Sequence, residues 1–240
     1  MVKRENFGFG SVNTEDTSST KPLVEYEKSE KETTSKTGPK STYAVNTLDD
    51  NTWKVIEDLV INNPDLKWDA NALIGSNDNA SAGIRDTSIR NCNVSFLQYH
   101  EELDKIFKRI VAEYNYEISN WNYDIETLES IQLTHYSEGQ FYDWHVDEFG
   151  TDIIKDDGEK SNRKISVTVW LNDGTEYGGG EFDIEVRGPN CKDWEHRFDT
   201  LKLPKKSIVI FPSNKWHRVR PVTSGIRKSL VLWFQGSPFR

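Results

Sequence analysis

The hydrophobic pattern changes character twice along the 240-residue chain. Residues 1–41 hold scattered apolar positions among Ser, Thr, Lys and Glu and end in the breaker Thr37-Gly38-Pro39, which predicts a flexible extension. A short strand is expected at Ser41–Val45. Thr47-Leu48-Asp49-Asp50 then supplies capping residues for a helix that gathers Trp53, Ile56, Leu59 and Val60 on one face, and Asn62-Asn63-Pro64 ends it. Ala70–Asp86, rich in Asn, Ser and Gly, reads as a mobile loop. Helical spacing returns over about Glu101–Tyr116, where Leu103, Ile106, Phe107, Ile110, Val111 and Tyr114 fall on one stripe.

From about residue 127 the period shortens. Runs of β-branched and aromatic residues appear at Ser130–Ser137, Ile165–Leu171, Glu181–Val186, Ser207–Phe211, Trp216–Val219 and Ser229–Gln235, separated by Gly, Pro, Asn and Asp. Many short strands with such turns predict a sandwich or barrel. Helices first and strands after predict a mainly β domain with supporting α-helices on its outside. The expected organisation is one domain over residues 42–240, with helical support in 42–126 and a β core in 127–236.

Composition sharpens this division. The extension carries seven Lys/Arg and seven Asp/Glu, so the net charge of −9 belongs to the remainder, and all eight Trp lie beyond residue 50. An acidic chain of this kind is not expected to bind nucleic acid non-specifically. No apolar run approaches a membrane span and no apolar leader stands at the N-terminus, so an intracellular, cytoplasmic location without membrane attachment is expected. Cys92 and Cys191, with no C-x-x-C, make neither a disulfide framework nor a cysteine zinc site. Oligomeric state leaves no sequence signal.

Five histidines carry the candidate chemistry: His100, His135, His145, His196 and His217. In His145-Val146-Asp147, strand alternation turns an imidazole and a carboxylate to one face. His217 stands just beyond the apolar run that ends in Phe211-Pro212. Two His and one carboxylate on one face form the facial triad that suits Fe(II) and leaves coordination positions open. Alone, such a triplet is weak, and surface or core histidines explain it as well. Arg227 lies ten residues after His217. If the strands at 216–219 and 227–234 pair as a hairpin, its guanidinium reaches the same cavity and can clamp a carboxylate; otherwise it is a surface arginine. Tyr136, nine residues before His145, offers a phenol donor, with ordinary strand packing as the alternative for it and for Tyr142. His135 is expected on the opposite face from Tyr136, and His196 in a charged, solvated stretch. A hydrolase reading of Ser229 lacks a G-x-S-x-G elbow.

The run Y-x8-H-x-D, a Gly179-Gly180-Glu181 turn, and F-P-x4-H-x-V-x-P-V-x2-G-x-R-x-S together resemble the prolyl 4-hydroxylase-like branch of the 2-oxoglutarate/Fe(II) dioxygenases, within it the bacterial and phage-encoded PKHD-type hydroxylases. The motifs cover roughly residues 130–236. The resemblance implies a double-stranded β-helix (jelly-roll) core preceded by a helical segment. It implies His145, Asp147 and His217 as ligands of Fe(2+), and Arg227 as the partner of the distal carboxylate of 2-oxoglutarate, assisted by Ser229. It implies Tyr136 as a further contact to the cosubstrate and the Gly179-Gly180-Glu181 turn as structural. It further implies O2 as co-reactant, L-ascorbate as an auxiliary reductant, and hydroxylation of an unactivated C–H with release of succinate and CO2. The intact Asp147 favours hydroxylation over halogenation. Arg227 stands where collagen-type enzymes carry lysine, which weakens a prolyl peptide as substrate; a peptidyl or free amino acid such as proline, or another small molecule, remains open.

Ala70–Asp86, Phe149–Asn162 and Gly188–Asp199 are the expected lids, and their mixed charge favours a polar or peptidyl substrate over a lipid. Two rivals stand beside the enzyme: a non-catalytic jelly-roll that binds metal or ligand, and a cupin-type metal hydrolase or isomerase. Neither accounts for Arg227.

Overall fold

A computed structural model describes residues 40–64, 66–67, 69–70, 74–76, 79–84, 86–97, 99–148, 152–154, 158–186 and 198–238. All but the last two residues of the expected extension, His196 and most of the Gly188–Asp199 lid lie outside the described residues.

The first strand, β1 (Ala44–Thr47), begins three residues later than expected and is an edge strand with little buried surface, which explains its faint apolar signal. Helix α1 (Asp50–Ile56) starts where Asp49 accepts the backbone N–H groups of Asn51 and Thr52, each at 3.0 Å, a cap worth about 1 kcal/mol. Its last turn widens over Glu57–Ile61 and closes with the Asn62 N–H on the Glu57 carbonyl. Helix α2 (Glu101–Ala112) buries Leu103, Phe107 and Val111 at four-residue spacing, and also ends in a widened turn, Glu113–Ile118.

The strands that follow are β2 (Arg90–Asn91), β3 (Asn93–Leu97), β4 (Ile131–Tyr136), β5 (Phe141–His145), β6 (Lys160–Trp170), β7 (Tyr177–Gly179), β8 (Phe182–Glu185), β9 (Phe198–Leu201), β10 (Ser207–Pro212), β11 (His217–Val219), β12 (Val222–Gly225) and β13 (Arg227–Gly236). Every described ladder is antiparallel. The larger sheet has nine strands, in the order β1-β10-β6-β13-β4-β3 followed by the short strand Asp69–Ala70, with Ile153–Ile154 added on β6 and Thr127–Leu128 on β13. The smaller sheet has five, in the order β9-β8-β11-β5-β2.

Two cores follow from strand alternation. On one face of the large sheet Ile165, Val167, Val169, Ile208, Ile210, Leu230, Leu232 and Phe234 pack against Trp53, Ile56, Leu103 and Phe107 of the helices. On the other, Val209, Phe211 and Trp170 meet Phe182, Ile184 and Val219 of the small sheet. The mainly β, jelly-roll expectation with outside helices therefore holds.

Part of the Ala70–Asp86 loop is ordered backbone instead: Ile74–Ser76 and Asn79–Ile84 form a two-stranded ladder. Small residues pair through the main chain without the β-branched pattern that advertises a strand. In the expected Phe149–Asn162 lid, Ile153–Ile154 pairs with Lys160 and Ser161, so β6 starts five residues before the predicted Ile165.

Candidate metal centre and anion pocket

The site is built where the small sheet faces the large one. His217 of β11 and His145 of β5 are direct cross-strand partners, which sets their imidazole centroids 4.0 Å apart. Each ring is oriented the same way: Nδ1 lies 2.7 Å from the Asp143 carbonyl for His145 and 2.9 Å from the Lys215 carbonyl for His217. A carbonyl only accepts, so the proton sits on Nδ1 and the Nε2 lone pair of each ring turns inward.

Asp147 sits two residues past the end of β5, its N–H bonded to the Ser213 carbonyl that follows β10. Its oxygens approach His145 Nε2 to 3.8 Å and His217 Nε2 to 3.5 Å. The ligand atoms of His145, Asp147 and His217 all lie within 4.8 Å of one another, in buried surroundings. This is the donor set inferred from the sequence, converged.

Electrostatics keep that set ready for a cation. Burial works to raise the Asp147 pKa, but His217, His145 and Arg163, with a Ser166 hydrogen bond, outweigh it and hold the carboxyl down at about 2. Burial, then the neighbouring His217, push His145 well below the ordinary histidine value, against Asp147. A carboxylate beside a neutral imidazole is the protonation pattern a divalent metal requires.

Arg227 opens β13 on the large sheet, paired with Tyr136 of β4. The two sequence-predicted strands do not form a hairpin. β11 lies in the small sheet and β13 in the large one, and β12, paired with β7, intervenes. Arg227 nonetheless lines the same cleft as His217, because the two sheets face each other across it. The cleft is also lined by Tyr136, Tyr142, Thr168, Phe182, Ser229 and Trp233.

Arg227 is 1% exposed, yet only its Nη1 has a partner, Ser229 Oγ at 3.0 Å; Nε and Nη2 are buried without one. A buried guanidinium with two unmatched donors is costly unless an anion meets it. It lies over the faces of Trp170 and Tyr136, at 5.0 and 5.5 Å. Burial drives the Tyr136 pKa far up, with Cys92 adding to it and Arg90 and Arg227 opposing, so its phenol remains a hydrogen-bond donor.

The other sequence candidates separate cleanly. Tyr142, equally open to packing or function from sequence, stacks on His145 at 3.4 Å and 13°, and burial pushes its hydroxyl up to about 12. His135 points away from Tyr136 as alternation requires, and His100 precedes α2 without capping it. The Gly179-Gly180 turn is structural: both residues have φ near +64°, and a Cβ on Gly179 would fall 2.3 Å from the Pro221 carbonyl.

Sequence reasoning missed Arg90, Ser166, Ser213 and Arg163. Arg90 lines the cleft, donates to Cys92 Sγ at 3.3 Å and lies 4.6 Å from the Tyr142 ring centre. Arg163 makes a two-pronged pair with Glu129 at 2.7 Å and covers the Trp233 ring at 4.1 Å. No spacing marks Ser166, Ser213 and Arg163, since their partners are distant in sequence, and the Arg90–Cys92 contact two residues apart belongs to no motif.

The strands that carry this site lie in the part of the chain that is similar to known proteins. Residues 131–235 match the family model of the 2OG-Fe(II) oxygenase superfamily. A PKHD-type hydroxylase of Cupriavidus metallidurans is 33% identical over 100 residues, 42% of this chain and 40% of that protein. One of Stenotrophomonas maltophilia is 36% identical over 105 residues, 43% of this chain and 42% of that protein. The aligned segment thus spans about two fifths of the length of these curated relatives. Among solved structures, a Pseudomonas putida prolyl-4-hydroxylase superposes with a TM-score of 0.54 at 16% identity, over 81% of this chain and 92% of that one. A Trichoplax adhaerens prolyl hydroxylase, solved with a hypoxia inducible factor peptide, gives 0.56 at 16% identity, over 81% and 84%. The fold is therefore that of prolyl hydroxylases, and the resemblance read from the motifs holds.

Proposed function

We propose that this chain is an Fe(II)- and 2-oxoglutarate-dependent dioxygenase that hydroxylates an unactivated C–H of a peptidyl or small-molecule substrate. One observation carries the reading: a fully buried arginine with two unpartnered N–H donors lines the same cleft as a buried two-histidine, one-carboxylate set. The triad alone fits any divalent-metal protein, whereas the unsatisfied guanidinium calls for a dicarboxylate that spans from metal to arginine.

The residues present fit both groups. His145 and His217 would hold Fe(II) through Nε2 and Asp147 through a carboxylate oxygen, leaving open positions on the metal. Arg227 would receive the distal carboxylate of 2-oxoglutarate on Nε and Nη2, with Ser229 fixing the third donor so that the fork keeps its direction. Tyr136, kept protonated, would donate to the same cosubstrate. Bound together with O2, iron and 2-oxoglutarate supply the oxidising power for C–H hydroxylation, and the cosubstrate leaves as succinate and CO2. L-ascorbate would serve as the auxiliary reductant, and the cytoplasm as the site of action. Phe182, Val219 and Val231 line the cleft with apolar surface, which limits water there and strengthens every charge interaction within it.

The test is an anaerobic titration of Fe(II) and 2-oxoglutarate into metal-free protein, followed by visible absorption. A charge-transfer band that needs both additions and disappears in His145→Ala is the expected result. Iron binding without that band overturns the cosubstrate pocket and leaves a non-catalytic metal- or ligand-binding jelly-roll.

A further inference from the structure

We propose that Ser166 is a positioning residue for the Asp147 carboxylate, and that a directed chain of hydroxyls, Ser213 to Ser166 to Asp147, presents a single carboxylate oxygen to the metal. The inference rests on the metal-binding reading above and concerns residues that the motifs do not mark.

Asp147 lies outside any strand ladder, so its position must be fixed by other means. Its backbone is fixed by Ser213, whose carbonyl accepts the N–H of Asp147 at 2.9 Å and of Glu148 at 3.1 Å. Its side chain is fixed by Ser166 of β6, whose Oγ donates to Asp147 Oδ2 at 2.6 Å, the short distance of a charge-assisted bond. Ser166 Oγ also lies 2.9 Å from Ser213 Oγ. A carboxylate only accepts, so the one Ser166 proton is committed to Asp147, and Ser213 must be the donor in the serine pair. The chain therefore has one direction and ends on the carboxylate.

Both serines are buried, at 0% and 1% exposure, where an apolar or small residue would fill the space at lower cost in desolvation. Oδ2 is held by Ser166 and lies 3.5 Å from His217 Nε2, whereas Oδ1, 3.8 Å from His145 Nε2, carries no hydroxyl donor, so the clamp makes the two oxygens inequivalent. A carboxylate held this way ligates through one oxygen. Released, it can rotate or chelate with both and occupy a position the cosubstrate requires.

The experiment uses Co(II) alone, titrated into metal-free full-length protein, with affinity and ligand-field absorption as readouts. Ser166→Ala is expected to weaken Co(II) binding about 10–100-fold, the usual cost of removing an outer hydrogen bond to a metal ligand, and to change the ligand-field bands at saturation. Ser166→Thr, which keeps the hydroxyl, is expected to restore affinity to within about threefold. A folded Ser166→Ala protein with wild-type affinity and bands overturns the clamp alone. Wild-type protein that fails to bind Co(II) overturns the clamp together with the metal-binding reading. If Ser166→Ala does not fold, Ser213→Ala carries the test: a loss of about 3–10-fold is expected, and unchanged affinity overturns the proposal.

Discussion

The two faces of the nine-stranded sheet are made by alternate residues of the same strands, and they solve opposite problems. Along β13, Leu230, Leu232 and Phe234 face the helices, while Arg227, Ser229, Val231 and Trp233 face the cleft. Along β6, Ile165, Val167 and Val169 take the helix side, and Ser166 and Thr168 the other. Apart from the half-buried Val231, both sets are buried. The helix side gains from removing apolar area from water, roughly 25 cal/mol per Å². The cleft side buries a guanidinium and several hydroxyls, which costs free energy wherever a partner is missing. Stability and function are thus interleaved at a period of two, and single substitutions can address one without the other.

The strongest way to test that separation is on the helix side. Phe234→Ala removes a fully buried ring packed among Ile165, Leu128 and the helices, and should lower unfolding free energy by about 3–5 kcal/mol. Denaturant melts measure this, and 2-oxoglutarate affinity of the folded variant should stay unchanged. The reciprocal experiment is Arg227→Met. Calorimetry should find 2-oxoglutarate binding weakened by about 10²–10³-fold, because a buried carboxylate left unpaired costs on the order of 3–5 kcal/mol. Stability should hold or rise, since an apolar side chain replaces a buried cation with two unpartnered donors. Loss of stability with unchanged cosubstrate affinity would mean that Arg227 belongs to the scaffold.

The same two faces explain what the sequence made legible. The helix side announces itself: Trp53, Ile56 and Val60, then Leu103, Phe107 and Val111, repeat at helical spacing, and β10 reads as an unbroken apolar run because both of its faces are buried. The cluster of His145, Asp147 and His217 is legible because His145 and Asp147 are near neighbours and the flanking motifs single out His217. Arg227 stands out by its motif, but the hairpin that would bring it to His217 stays conditional in the sequence, since position along the chain does not reveal which sheet a strand joins. Arg90, Ser166 and Ser213 were illegible. A buried serine in Ile165-Ser166-Val167 looks like any small residue in a strand until the turn holding Asp147 is folded against it.

His135 breaks the pattern, and it supplies the smallest effect and the sharpest control. It is a titratable residue on the helix-side alternation of β4, opposite Lys228 of β13 and Asn93 of β3. Burial first, then Lys228, hold its pKa down to about 4, against about 6.5 in an unfolded chain. Above pH 6.5 both states are neutral and the residue contributes no pH dependence. As pH falls from about 6.5 to about 4, the unfolded chain binds a proton that the folded protein refuses, so stability declines across that window and levels below it. After allowance for solvent screening of a partly exposed ring, the loss should be about 1–2 kcal/mol. In His135→Gln that part of the acid slope should vanish, while Co(II) and 2-oxoglutarate affinities at pH 7 stay at wild-type values, because the ring faces away from the cleft. An unchanged slope in denaturant melts between pH 4 and 7 would assign the acid sensitivity to the buried His145 instead, whose pKa is also held well below the ordinary histidine value, making the cleft face a source of acid sensitivity.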